Sequence, residues 1–91
     1  MKIIVRVFGE ISSIIGKRLE VELPERATVN SLTNKIREQT NQRPGYLGEF
    51  KIGSKDLSII LNGRSIDMLN GIITLLKDGD EVVIMQPTAG G

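Results

Sequence analysis

Ninety-one residues carrying twelve basic and eleven acidic side chains leave a net charge of +1, and the chain has neither cysteine nor histidine. A chain this short buries roughly 60–65% of its unfolded surface, enough for one core and no more. Without cysteine there is no disulfide, no thiolate metal site and no cysteine nucleophile, and without histidine the commonest general base is missing. Aromatic residues make up 3% of the chain. With neither a basic stripe nor a stacking platform, nucleic-acid binding is not expected. The opening Met1-Lys2-Ile3-Ile4-Val5-Arg6 starts like a signal peptide but is interrupted by Arg6, and no apolar run approaches the ~20 residues of a membrane span. The sequence reads as a soluble cytoplasmic protein with no membrane partner.

Residues 2–8 are short and β-branched and predict a strand. Ile3, Val5 and Val7 lie on its core face, and Ile4, Arg6 and Phe8 on the other. Residues 9–16 are too long for a tight turn. Ile11, Ile14 and Ile15 have the i, i+3, i+4 spacing of a helical turn, closed by Gly16. Residues 18–23 alternate, with Leu19, Val21 and Leu23 against Arg18, Glu20 and Glu22. This predicts a half-buried edge strand that Pro24 ends.

Thr28 is a good N-cap for the main helix, in which Val29, Leu32 and Ile36 form a narrow apolar stripe suited to packing on a sheet. That helix must end before Arg43-Pro44, because the residue before proline is pushed out of the α region. Residues 45–56, with three glycines among Tyr46, Leu47, Phe50 and Ile52, predict an irregular excursion holding one short strand. Residues 57–61 are a strand, Asn62-Gly63 a turn, and residues 66–69 a short strand or turn. Lys77-Asp78-Gly79-Asp80 forms a second turn. Its aspartates are expected to be structural, since Asp-Gly is turn chemistry. The last strand is Glu81-Val82-Val83-Ile84-Met85.

An opening hairpin followed by a helical crossover makes the last strand parallel to the first, and the right-handed crossover rule fixes the hand. The expected architecture is α+β, a mixed four- to five-stranded sheet with one main helix on one face. The sheet's other face then carries Ile4, Arg6, Phe8, Val83 and Met85 as one patch for a protein partner. After Met85 comes Gln86-Pro87-Thr88-Ala89-Gly90-Gly91. Pro87 stiffens the exit from the sheet. The glycines offer a thread without Cβ that can enter a channel closed to other side chains. The expected organisation is a folded domain over 1–86 and a projecting tail over 87–91.

The element order, the Asp78-Gly79-Asp80-Glu81-Val82 turn and strand, and the Gly90-Gly91 end together resemble the β-grasp sulfur carriers of the ubiquitin-like superfamily. The small subunit of molybdopterin synthase and the archaeal small modifier proteins are the nearest branch. The family often has two prolines before its small residues, where this chain has Gln86-Pro87. Residues 45–56 have no counterpart in the pattern. The resemblance implies a co-substrate with no catalytic residue and no bound cofactor or metal. The Gly91 carboxylate would be adenylated with ATP by a ubiquitin-activating-type enzyme and converted to a thiocarboxylate. Its sulfur would pass to an acceptor such as the molybdopterin synthase large subunit. Attachment of Gly91 to lysine amines, or sulfur supply to tRNA thiolation or thiamine synthesis, are the other fates the same tail would serve. A non-catalytic interaction domain with an incidental Gly-Gly is a further alternative.

Overall fold

The computed structural model describes residues 1–47, 50, 51 and 57–86. Strand β1 (Lys2–Phe8) leads through a short helix α1 (Ser12–Ile15) into β2 (Arg18–Glu22), which pairs antiparallel with it. Helix α2 (Val29–Gln39) follows, then a two-stranded ribbon, β3 (Tyr46–Leu47) with β4 (Phe50–Lys51). The chain returns to the main sheet with β5 (Ser58–Leu61) and β6 (Arg64–Ser65), makes 3-10 turns at Ile66–Met68 and Gly71–Ile73, and ends in β7 (Glu81–Met85). The sheet order is β2-β1-β7-β5-β6, with β1 and β7 parallel and the other pairs antiparallel. The expected mixed sheet with one main helix is thus realised with five strands, and β2 is an edge strand as its alternation implied.

Strand parity builds the core. Ile3, Val5, Val82 and Ile84 are wholly buried, and Val7 nearly so, together with Val29, Leu32 and Ile36 of α2. Ile11 and Ile15 of the β1–β2 connection join them, while Ile14 turns outward and is exposed. Thr28 caps α2 through its Oγ1, which accepts from the Ser31 backbone N–H at 3.2 Å, and Ser31 Oγ accepts from the Thr28 N–H at 3.1 Å. This is a capping box built with serine in the place usually held by Glu or Gln. Thr33 extends the buried stripe. Its hydroxyl donates to the Asn30 carbonyl at 3.0 Å, so the one polar atom it takes into the core is satisfied. The start of α2 is also tied to the 3-10 region. Val29 N–H donates to Thr74 O at 3.0 Å, and Leu76 N–H to Ala27 O at 2.9 Å.

Two turns close the pole of the sheet where β7 begins. Asn62 and Gly63 both take positive φ, 49° and 86°, as a two-residue turn between twisted strands requires. Asp80 Oδ2 accepts from the Lys77 N–H at 2.7 Å, and its Oδ1 accepts from Asn62 Nδ2 at 3.0 Å. Asp78 Oδ1 accepts from the Lys2 N–H at 2.7 Å. Both aspartates therefore hold turns together, the structural role read from the sequence.

One local expectation changes. Where one short strand was expected in residues 45–56 there are two among the described residues, paired as a ribbon, and Leu47 is buried in the core. Residues 48, 49 and 52–56 of that stretch lie outside the described residues. Of the short strand or turn expected at residues 66–69 the structure has the turn, and a short strand, β6, lies just before it. Ile66–Met68 is a 3-10 turn in which Ser65 Oγ accepts from the Asp67 N–H at 3.3 Å. The serine cap ends the strand and starts the turn at one residue.

Candidate functional site

The face of the sheet turned away from α2 is built by the same parity that fills the core. On β1 it carries Ile4, Arg6 and Phe8, and on β7 it carries Glu81, Val83 and Met85. The parallel register sets Ile4 beside Glu81, Arg6 beside Val83 and Phe8 beside Met85. The five residues named from the sequence are therefore neighbours on two adjacent strands. Phe8 is 52% exposed and Met85 39%, while Ile4 and Val83 are half-buried.

Ile60 belongs to this face and is not among the residues named from the sequence. It is the Cα partner of Val83 across the β5–β7 pair and is half-buried. Its own alternation, with Ile59 and Leu61 buried to either side, puts it on the outer face. What the sequence does not give is that β5 lies next to β7. Ser58 stands opposite Met85 on the same strand.

Charge frames the patch. Arg6 Nε lies 3.6 Å from Glu81 Oε2, both side chains about half exposed. Glu20 on β2 is approached by Lys2 at 3.7 Å and Arg18 at 3.6 Å. Exposed pairs of this kind contribute little to stability. Here they set apolar side chains among charges of both signs.

Next to Phe8 the surface dips into a groove of about 470 Å³ lined by Arg6, Val7, Phe8, Gly9, Ser12, Lys17 and Arg18. This is also the pole at which β7 leaves the sheet. Gln86 N–H donates to Phe8 O at 3.4 Å, and the Gln86 side chain lies over Gly9. A Cβ at Gly9 would come within 3.0 Å of Gln86 Cβ, and Gly9 has φ +97°. The first residue after the last strand is thus seated on the backbone that leaves the first. The sequence-named Pro87, Thr88, Ala89, Gly90 and Gly91 lie outside the described residues.

Among the described residues there is no cluster of three or more His, Cys, Asp or Glu side chains placed to hold a metal ion. Among the same residues, no helix is long and apolar enough to cross a membrane.

The model of the ThiS family matches residues 5–91. A protein of Archaeoglobus fulgidus assigned as a sulfur carrier is 36% identical over 87 residues, which are 88% of this chain and 91% of that protein. Small archaeal modifier protein 3 of Haloferax volcanii is 28% identical over 92 residues, covering all of both chains. In a solved complex of subunits 1 and 2 of the molybdopterin-converting factor from Helicobacter pylori, one chain is 26% identical, with a TM-score of 0.64 and full coverage of both chains. With a mixed five-stranded sheet, one main helix on a single face and a family match running to Gly91, this chain belongs to the ThiS family of ubiquitin-like β-grasp proteins.

Proposed function

We propose that this protein is a sulfur carrier that works as a co-substrate, with the Gly91 carboxylate as its chemical handle. The observation that carries the reading is the family match over residues 5–91, which takes in the Gly90-Gly91 motif together with the strand leading to it. A carboxylate is ionised near neutral pH and is a poor acceptor for a nucleophile. Activation would begin when a carboxylate oxygen attacks the α-phosphorus of ATP in a ubiquitin-activating-type enzyme, expelling pyrophosphate and leaving an acyl-adenylate on Gly91. A persulfide or hydrosulfide sulfur would then add to the carbonyl carbon and expel AMP. Where the donor is a persulfide, reductive cleavage of the S–S bond by a thiol leaves the thiocarboxylate. The domain itself supplies no acid, base or nucleophile to these steps. Its part is to be held by the partner while the tail reaches the reacting atoms.

The docking face in this reading is the patch of Ile4, Arg6, Phe8, Val83 and Met85. It is continuous with the strand end from which residues 87–91 follow. A partner that grips the patch therefore holds the root of the tail at a fixed place. The activating enzyme and the sulfur acceptor would both use it, and methionine suits a surface that must fit more than one partner. The acceptor we favour is the large subunit of a molybdopterin synthase, and so the molybdenum cofactor pathway. The likeness to one chain of a two-subunit molybdopterin-converting factor supports this choice.

The likeness to a small archaeal modifier protein supports a second fate, in which the activated Gly91 carbonyl is taken by a lysine amine. Intact-mass measurement after incubation with an activating enzyme, ATP and a sulfur donor separates the readings. Replacement of one oxygen by sulfur on this chain is the expected product. An isopeptide adduct on other proteins, with no thiocarboxylate formed, would transfer the assignment to a modifier. No change at Gly91 under any activating condition would remove both.

A further inference from the structure

We propose that the edge strand β2 is a self-association site, through which two copies of this chain pair antiparallel about Glu20 into one continuous ten-stranded sheet. The ladder to β1 is anchored at its two ends by Leu23 N–H on Met1 O and Val7 N–H on Lys17 O, both at 2.9 Å. In an antiparallel pair, hydrogen-bonded positions alternate along each strand. The odd-numbered residues of β2 therefore direct their backbone groups to β1. Arg18, Glu20 and Glu22 direct theirs to the open side, where no strand lies among the described residues. Such an edge is a template for a further strand.

The side chains select the occupant. A two-fold axis through Glu20, perpendicular to the sheet, brings outward-directed backbone groups opposite one another at all three positions, as a hydrogen-bonded ladder requires. The same register sets Arg18 of each copy opposite Glu22 of the other, on the outer face. Within one copy Arg18 has a like charge beside it, since its Cα partner on β1 is Arg6. Its near carboxylate, Glu20, is shared with Lys2. Glu22 is 76% exposed, with the Met1 amino group 3.6 Å from one of its two carboxylate oxygens. A carboxylate directly across the ladder from Arg18 is the charge this edge lacks, and the chain carries it at the symmetric position. Opposite charges directly across an antiparallel pair are favourable, and like charges are unfavourable. The single like pair, Glu20 against Glu20, is flanked in each copy by Lys2 and Arg18. On the core side the register sets half-buried Leu19 against Val21.

This pairing leaves the proposed carrier chemistry free. The axis is perpendicular to the sheet, so the two outer faces stay on one side. The strands run in opposite directions, so the two β7 ends point away from each other. The inference does not depend on what is attached to Gly91.

Sedimentation equilibrium across a concentration series at low salt is the test, run on the wild type, Arg18→Glu, Glu22→Arg and the double variant. The wild type is expected to reach twice the 10.0 kDa chain mass. Each single reversal places two like pairs across the axis and should return the mass to that of one chain. The double reversal restores both opposite pairs and should restore the dimer. Hydrogen exchange on the wild type gives an answer even where a variant fails to fold. The amides of Arg18, Glu20 and Glu22 should slow as concentration rises, while other exposed amides do not. A wild type that stays monomeric throughout overturns the proposal. So does a dimer indifferent to the single reversals, or one whose protection falls elsewhere, such as the exposed Ile72, Ile73 and Leu75.

Discussion

Phe8 and Met85 stand side by side as Cα partners at matching ends of two parallel strands, both turned outward on the face opposite α2. Neither contributes to the buried core, so a charge at either position changes the surface and leaves the packing alone. Phe8→Glu and Met85→Glu are expected to weaken binding to both the activating enzyme and the sulfur acceptor by at least tenfold, with an unchanged circular dichroism spectrum. Titration calorimetry with each partner reads this. Full affinity in a folded variant would move the docking face elsewhere on the domain.

Ile84 lies on the opposite face of the same strand and is wholly buried among Val5, Val7 and Leu32 in the core cluster. Truncation to alanine removes its packing and leaves a cavity. Ile84→Ala should cost about 2–5 kcal/mol in urea unfolding. A cost below that of an ordinary surface change would contradict the face assignment.

Asp80 is a hinge pin for two turns, accepting from Lys77 N–H and from Asn62 Nδ2. Asp80→Ala leaves both donors to water and should lower stability by about 2 kcal/mol. Its effect on partner binding should be small, because the pole it braces is the one away from Met85. A loss of activation with stability unchanged would give this aspartate a role in the chemistry.

Gly9 and Gly16 share a φ of +97°, so alanine is strained at both. They differ in what a new Cβ meets, which is Gln86 Cβ at 3.0 Å for Gly9 and the end of Leu19 at 3.4 Å for Gly16. Gly9→Ala should therefore cost more than Gly16→Ala, where backbone strain alone is about 1–3 kcal/mol. Equal losses in thermal unfolding would show that Gln86 yields freely.

Deletion of Gly91, or Gly90→Val, should abolish adenylation and leave the melting temperature nearly unchanged. The measurement pairs pyrophosphate release by the activating enzyme with differential scanning fluorimetry. A large fall in melting temperature would mean that these residues are packed and would count against a carrier tail.

Much of the fold can be read from alternation. Residues 2–8, 18–23 and 81–85 each have a clean period of two, which is why the core and outer faces of β1, β2 and β7 fall where expected. Thr28 announces the start of α2. The stretches that resist reading have their structure set by tertiary contacts. Leu47 and the β3–β4 ribbon carry too few residues for any period to show. Thr33 is polar by type and enters the core because its hydroxyl can turn back on Asn30 O. Ile60 was legible as an outward residue, but its membership of the patch depends on the pairing of β5 with β7, which no local pattern encodes. Ile72, Ile73 and Leu75 are apolar and exposed, an arrangement that hydrophobicity alone assigns to the core.

The parallel pairing of β1 with β7 joins the first and last strands of the described fold, and it has a temporal consequence. A ribosome delivers β1 with six strands still to come. The outer patch takes Ile4, Arg6 and Phe8 from one of these strands and Val83 and Met85 from the other, so half of it waits on the other half. Contacts this distant in sequence are the slow ones to form. Until β7 has slotted in between β1 and β5 the proposed docking surface is incomplete. Under the proposed docking, an incomplete or misfolded chain would be invisible to a partner that reads this face, and completion of the sheet would act as the licence for what is done to the residues beyond it.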